Sequence, residues 1–150
     1  MFRTRKGAIM ESIQDARGLS LDMLKKFGTK WAVLAAMRLD MASRGIRIGS
    51  EADEQLKLAR VQILSGCFSP CDVGCSLSKL ESQLISSIGS SGSSLGEEYL
   101  RPWSDLLAQA MRGEIDPQRI AEIPALKPVA MDCKFLACRC AELPGYKVSA

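Results

Sequence analysis

The chain has 150 residues, 47% of them hydrophobic and 25% charged, with a net charge of +3. That composition suits one folded domain and excludes a disordered chain. The longest apolar run, residues 31–37, is far short of the ~20 residues a membrane-spanning helix needs. The positive balance is small and comes partly from Arg3, Arg5 and Lys6, and aromatic residues are too few to stack on bases, so nucleic acid is not the expected partner.

In chain order, the sequence predicts a short helix over residues 8–17, closed by Gly18. Ser20 is placed to cap a second piece over residues 21–27, with Gly28 as its stop. Thr29 then caps the strongest helix, residues 30–44, rich in Ala, Leu and Met and terminated by Gly45. After a bridge over residues 46–49, Ser50 opens a helix with Asp53 in the capping-box position. Leu56, Ala59, Ile63 and Leu64 give that helix an apolar stripe, and Gly66 ends it. Ser69-Pro70 reads as a cap and first-turn proline opening a helix to about Ile88, with Gly74 weakening its first turn.

Residues 89–96 form a Gly/Ser-rich loop, read as internal to a single domain over residues 1–150. Residues 97–101 and 103–111 flank Pro102, and Gly113 closes the second of them. Asp116-Pro117 opens a short helix that Pro124 ends. Over residues 129–143, Met131, Cys133 and Phe135 alternate as in a strand, yet Val129, Cys133, Leu136 and Cys140 share one helical face, and the segment is read as a helix. Runs of strand-forming residues are missing. The expected class is all-α, an irregular multi-helix bundle of about six or seven helices.

The six cysteines fall in two clusters, Cys67, Cys71, Cys75 and Cys133, Cys138, Cys140, and this pairing suggests that the two regions meet. Over residues 1–19 there is no apolar stretch of the ~7–15 residues found in a secretory signal, since residues 7–10 run into Glu11. A cytoplasmic location is therefore expected, where thiols stay reduced or bind metal. Cys67, Cys71 and Cys75 repeat every four residues, a spacing open to zinc or an iron–sulfur cluster, with Cys138 or Cys140 as the fourth ligand. On one straight helix Cys67 and Cys75 would stand ~12 Å apart, so Gly66 and Pro70 must break the helix for all three to share an ion. On a helix, Cys138 points away from Cys133 and Cys140.

The other readings of the cysteines are packing and disulfides. Leu77, Leu80, Leu84 and Ile88 form the main apolar face of their helix, while Cys71, Cys75, Ser78 and Ser82 form a separate stripe of small residues. An intercluster disulfide would close a loop of ~60 residues and stabilise by roughly 4 kcal/mol.

With no histidine in the chain, a Ser-His-Asp triad and a Cys-His pair are both excluded. Glu54 lies on the helix ahead of Gly66-Cys67, and Cys71 follows on the next. This loosely resembles the alkylhydroperoxidase-like (carboxymuconolactone decarboxylase) families, all-α proteins in which a Glu-bearing helix leads into a Gly-Cys-x-x-Cys start. The resemblance covers about residues 50–78 and implies Cys67 and Cys71 as a redox pair with Glu54 as proton relay. Here three residues separate the cysteines, and Cys75 stands about where the families carry histidine. The acidic groups Glu51, Asp53, Glu54 and Glu97, Glu98 begin helices, where carboxylates complement the helix dipole. The expected function is a non-enzymatic interaction or assembly module that meets a protein partner or a second copy of itself, uses its cysteines structurally and needs no cofactor.

Overall fold

The computed structural model describes residues 20–65, 68–90 and 96–133. They form four α-helices, α1 (Leu21–Ser43), α2 (Ser50–Ser65), α3 (Pro70–Ser90) and α4 (Glu97–Met111). Two 3-10 segments, Pro117–Glu122 and Pro124–Val129, follow, and the described residues contain no strand. This is the all-α, irregular multi-helix bundle expected from the sequence. The helix expected over residues 8–17 lies outside the described residues.

α1 is the axis of the bundle. Ser20 caps it as expected, its Oγ accepting the Met23 N–H at 3.2 Å. The break expected at Gly28 and Thr29 does not occur, and α1 runs through both. Thr29 is fully buried and its hydroxyl donates back to the Lys25 carbonyl at 2.7 Å, a mid-helix bond rather than a cap. The physical reason is burial on every side. From Phe27 to Met37 only Lys30 escapes full burial, so packing overrides the ~1 kcal/mol that an interior glycine costs. The helix stops where glycine permits it. Gly45 has φ +78°, and the Ile46 N–H returns to the Met41 carbonyl at 3.0 Å, a Schellman closure.

α2 runs antiparallel to α1. The Trp31 indole donates to the Leu56 carbonyl at 2.8 Å, and Arg38 grips the Asp53 carboxylate with two bonds of 2.9 and 3.2 Å. α3 runs parallel to α1, with Lys30 paired to Glu81 at 3.0 Å and Gly74 against Phe27. A Cβ on Gly74 would stand 3.6 Å from the Phe27 ring, so the glycine expected to weaken the helix is where α1 approaches. Ser69 caps α3 by accepting the Asp72 N–H at 3.2 Å. Leu77, Leu80, Leu84 and Ile88 fill the core with Val73, as their spacing predicts. α3 takes in Gly89 and Ser90, which the sequence assigns to the loop.

α4 is one helix, not two. Pro102 sits inside it, and both Pro102 and Glu98, whose carbonyl the missing N–H would have met, are exposed residues. α4 lies antiparallel to α1, with Tyr99 at Asp40 and Gly113 at Lys26. Gly113 has φ +73°, and the Glu114 N–H returns to the Gln109 carbonyl at 2.9 Å.

The helix expected after Asp116-Pro117 is a 3-10 segment. Asp116 caps it, its Oδ1 accepting the Gln118 N–H at 3.0 Å. Pro117 at the first position is compatible with a helix, but Pro124 and Pro128 each lack an N–H and would interrupt a continuous α-helical ladder over residues 117–129 twice. The segments hold by burying Ile120, Leu126 and Val129. The helix expected from Val129 does not start there, because residues 130–133 form turns. The remainder of that expected helix is outside the described residues.

Candidate functional site

Two of the sequence-predicted thiol residues, Cys71 and Cys75, stand at one end of the bundle. The N-terminal end of α1 meets the end of α2 and the start of α3, which carries Cys71 and Cys75. Both thiols are free and exposed. Cys133 is free and buried, 1% exposed in the core, and the Arg60 charge of α2 reaches it. Cys67, Cys138 and Cys140 lie outside the described residues. Among the described residues no three metal-ligating side chains come together. Glu54 is exposed on α2. Residue 54 is eleven positions before Ser65, where α2 ends, so ~16 Å of helix separates it from the turn toward Cys71.

Burial pushes the Cys133 thiol up to about 12, helped by the Asp132 charge and opposed by that of Arg60. At pH 8 its thiolate fraction is roughly a thousandfold below that of an ordinary thiol. Iodoacetamide is therefore expected to label Cys71 and Cys75 in the folded protein and to spare Cys133 until the protein is unfolded, as read by peptide mass mapping. Equal labelling of all three would mean that the core around Cys133 opens readily.

At the opposite end of α1 lies a feature the sequence does not announce. A groove of about 780 Å³ opens between the C-terminal half of α1, the first half of α4 and the second 3-10 segment. α1 contributes Ala36, Leu39, Asp40 and Ser43, which recur at helical spacing on one face, and Arg44 follows as its C-cap. α4 contributes Glu98, Tyr99, Pro102, Trp103 and Leu106, and the facing wall is Pro124, Ala125 and Pro128. Most of this lining is hydrocarbon. Leu39 is 49% exposed in it, although it sits in the most buried helix of the chain.

A polar cluster fixes one rim. The Tyr99 hydroxyl donates to Asp40 Oδ2 at 2.5 Å, and Arg44 Nε donates to the same oxygen at 2.9 Å. The Arg44 guanidinium lies over the Tyr99 ring, 4.9 Å from its centre, and the Trp103 ring stands 6.5 Å from that of Tyr99 at a tilt of 59°. Partial burial pushes the Asp40 carboxyl up, but the hydrogen bonds from Tyr99 and Arg44 and the Arg44 charge outweigh it and hold the pKa below the usual carboxylate range. Burial, the hydrogen bond to Asp40 and the Asp40 charge drive the Tyr99 phenol well above its ordinary value, so it stays a neutral donor. Neither group is suited to proton transfer near neutrality, and the cluster acts as a brace.

The lowered Asp40 pKa sets a direction for acid sensitivity. A depressed folded-state pKa gives stability that is present above the unfolded value of ~3.9 and is lost as pH falls through the folded value. Asp40→Asn keeps an acceptor for Tyr99 but removes the charge facing Arg44. The wild type should melt above this variant at pH 7, and the gap should narrow below about pH 4. A gap constant from pH 7 to about 3 would show that the carboxylate charge contributes nothing.

A smaller hollow of about 280 Å³ lies between the start of α2, at Ile48, Glu51 and Ala52, and the far half of α3, at Ser82, Gln83 and Ser86. No helix among the described residues is long and apolar enough to cross a membrane. No protein-family model matches the sequence, and neither a curated protein nor a solved structure is similar to it.

Proposed function

We propose that this chain is a non-enzymatic interaction module whose groove receives an amphipathic segment of a partner protein, apolar on one side and carrying a lysine or arginine. The observation that supports this reading is the groove between α1, α4 and the second 3-10 segment. It is large enough for several apolar side chains. Its walls are stiff, because three of its lining residues are prolines and the Tyr99–Asp40–Arg44 brace ties α4 to α1. A preformed groove loses little entropy on binding. Its charge specifies the partner. Asp40 is already matched by Arg44, whereas Glu98 at the rim, beside Glu97, has no ion pair among the described residues. A basic residue of the bound segment would meet Glu98. In this reading Cys133 is core packing.

A displayed library of random helical peptides, selected on the full chain, tests the proposal. Selected peptides should combine large apolar residues with Lys or Arg. They should bind Leu39→Asp roughly 30-fold or more weakly, as for a central contact residue, and Glu98→Lys about tenfold more weakly. Both positions are exposed, so both variants should keep the wild-type circular dichroism spectrum. Peptides that bind Leu39→Asp as tightly as wild type would overturn the reading.

A further inference from the structure

The chain itself displays a segment of the kind the groove selects. Val61 is 55% exposed and Leu58 43%, three residues apart on the outward face of α2. Lys57 is exposed one turn before Val61, and Glu54, exposed one turn before Leu58, bounds the patch. One stretch of helix thus offers two aliphatic side chains with a lysine at their edge. The groove offers the matching groups, Leu39 at 49% exposure and the exposed carboxylate of Glu98. Lys57 and Glu98 are opposite in charge, and neither has an ion pair among the described residues.

A molecule cannot fill its own groove in this way. α2 runs antiparallel to α1, with Leu56 at Trp31 and Asp53 at Arg38. Val61 is five residues past Leu56, so it lies about level with the residue five before Trp31, roughly 15 Å along α1 from Ala36, where the groove begins. α2 also packs on α1 and α3 and not on α4 or the 3-10 segments, which form the groove walls. The patch and the groove are therefore on different sides of α1 and toward different ends of the bundle. Surfaces placed so cannot both engage one neighbour. On the reading of the groove given above, we infer that its occupant is the second half of α2 of another copy of this chain. Leu58 and Val61 enter against Leu39, and Lys57 pairs with Glu98 at the rim. Each copy then offers its groove to one neighbour and its α2 to another, a heterologous, head-to-tail contact. Two unpartnered apolar surfaces are covered by one interface.

Sedimentation of the full chain from about 10 to 500 μM tests this, because such contacts form by mass action. The wild type should gain average mass with concentration. Leu39→Asp and Val61→Asp, each changed at an exposed position, should keep the fold and stay monomeric. An equimolar mixture of these two variants should give dimers and nothing larger. The intact groove of Val61→Asp can receive the intact α2 of Leu39→Asp, and neither end of that pair can grow. Lys57→Glu and Glu98→Lys should each weaken association about tenfold, and a chain carrying both should regain it. Wild type that stays monomeric throughout, while the peptides selected on the groove still bind it, would overturn the inference and leave the groove reading standing. Peptides indifferent to Leu39→Asp would overturn both. Association that survives Val61→Asp, or variants that form no dimers when mixed, would also overturn the inference.

Discussion

Trp31→Ala is expected to cost about 3–5 kcal/mol of folding stability, enough to leave much of the protein unfolded at 37 °C if its total is typical of small domains. Trp31 is 5% exposed in the middle of α1, and its indole joins α1 to α2 by donating to the Leu56 carbonyl at 2.8 Å. Removing the ring opens a cavity on the axis of the bundle, where three helices and both 3-10 segments pack against α1 and cannot close in together. Trp31→Phe separates the two contributions. It keeps most of the ring volume and loses the N–H, so it should cost only about 1–2 kcal/mol. Urea unfolding of the two variants reads both numbers. If Trp31→Phe destabilised as much as Trp31→Ala, the hydrogen bond rather than the packing would dominate, and the account of α1 as a packed axis would fail.

Much of the fold is legible in the residues, and the limits have physical causes. Ser20, Ser69-Pro70, Gly45 and Gly113 each mark a helix end because cap chemistry is local, needing only a side-chain oxygen or a residue free to take positive φ. Gly28, Thr29 and Pro102 look like equally good ends, yet α1 and α4 pass through them. Their fate depends on burial and exposure, which a local pattern does not carry. The apolar abundance of residues 27–37 is explained once α1 is seen to be enclosed on all sides. The stripe of Leu77, Leu80, Leu84 and Ile88 is legible because α3 buries only one face. The groove is not legible at all. Its parts come from residues 36–44, 98–106 and 124–128, and no periodicity links three segments that far apart. One trace of it exists, Leu39 exposed within an otherwise buried helix, and that trace needs the structure to be seen.

Leu126→Ala is the second change expected to have a large effect, about 2–5 kcal/mol, and it would act on the groove rather than on the helices. Leu126 is fully buried while Pro124, Ala125 and Pro128 beside it form the groove wall. The 3-10 segments have poorer hydrogen-bond geometry than an α-helix, so their place against α1 depends on the side chains they bury, Ile120, Leu126 and Val129. Loss of Leu126 removes the middle anchor. Hydrogen exchange should then quicken across residues 117–129 by at least tenfold, while the amides of α2 and α3, on the other side of α1, lose only what global stability they share with it. Peptides selected on the wild type should bind this variant more weakly even though no residue of the groove wall has changed, because the wall must be ordered before it can bind. Pro128→Ala makes the converse test. It alters the wall but not the anchor, so it should leave stability within about 0.5 kcal/mol of wild type. If Leu126→Ala instead loosened all four helices equally, the 3-10 segments would be part of one cooperative core, and the groove could not be weakened without unfolding the protein.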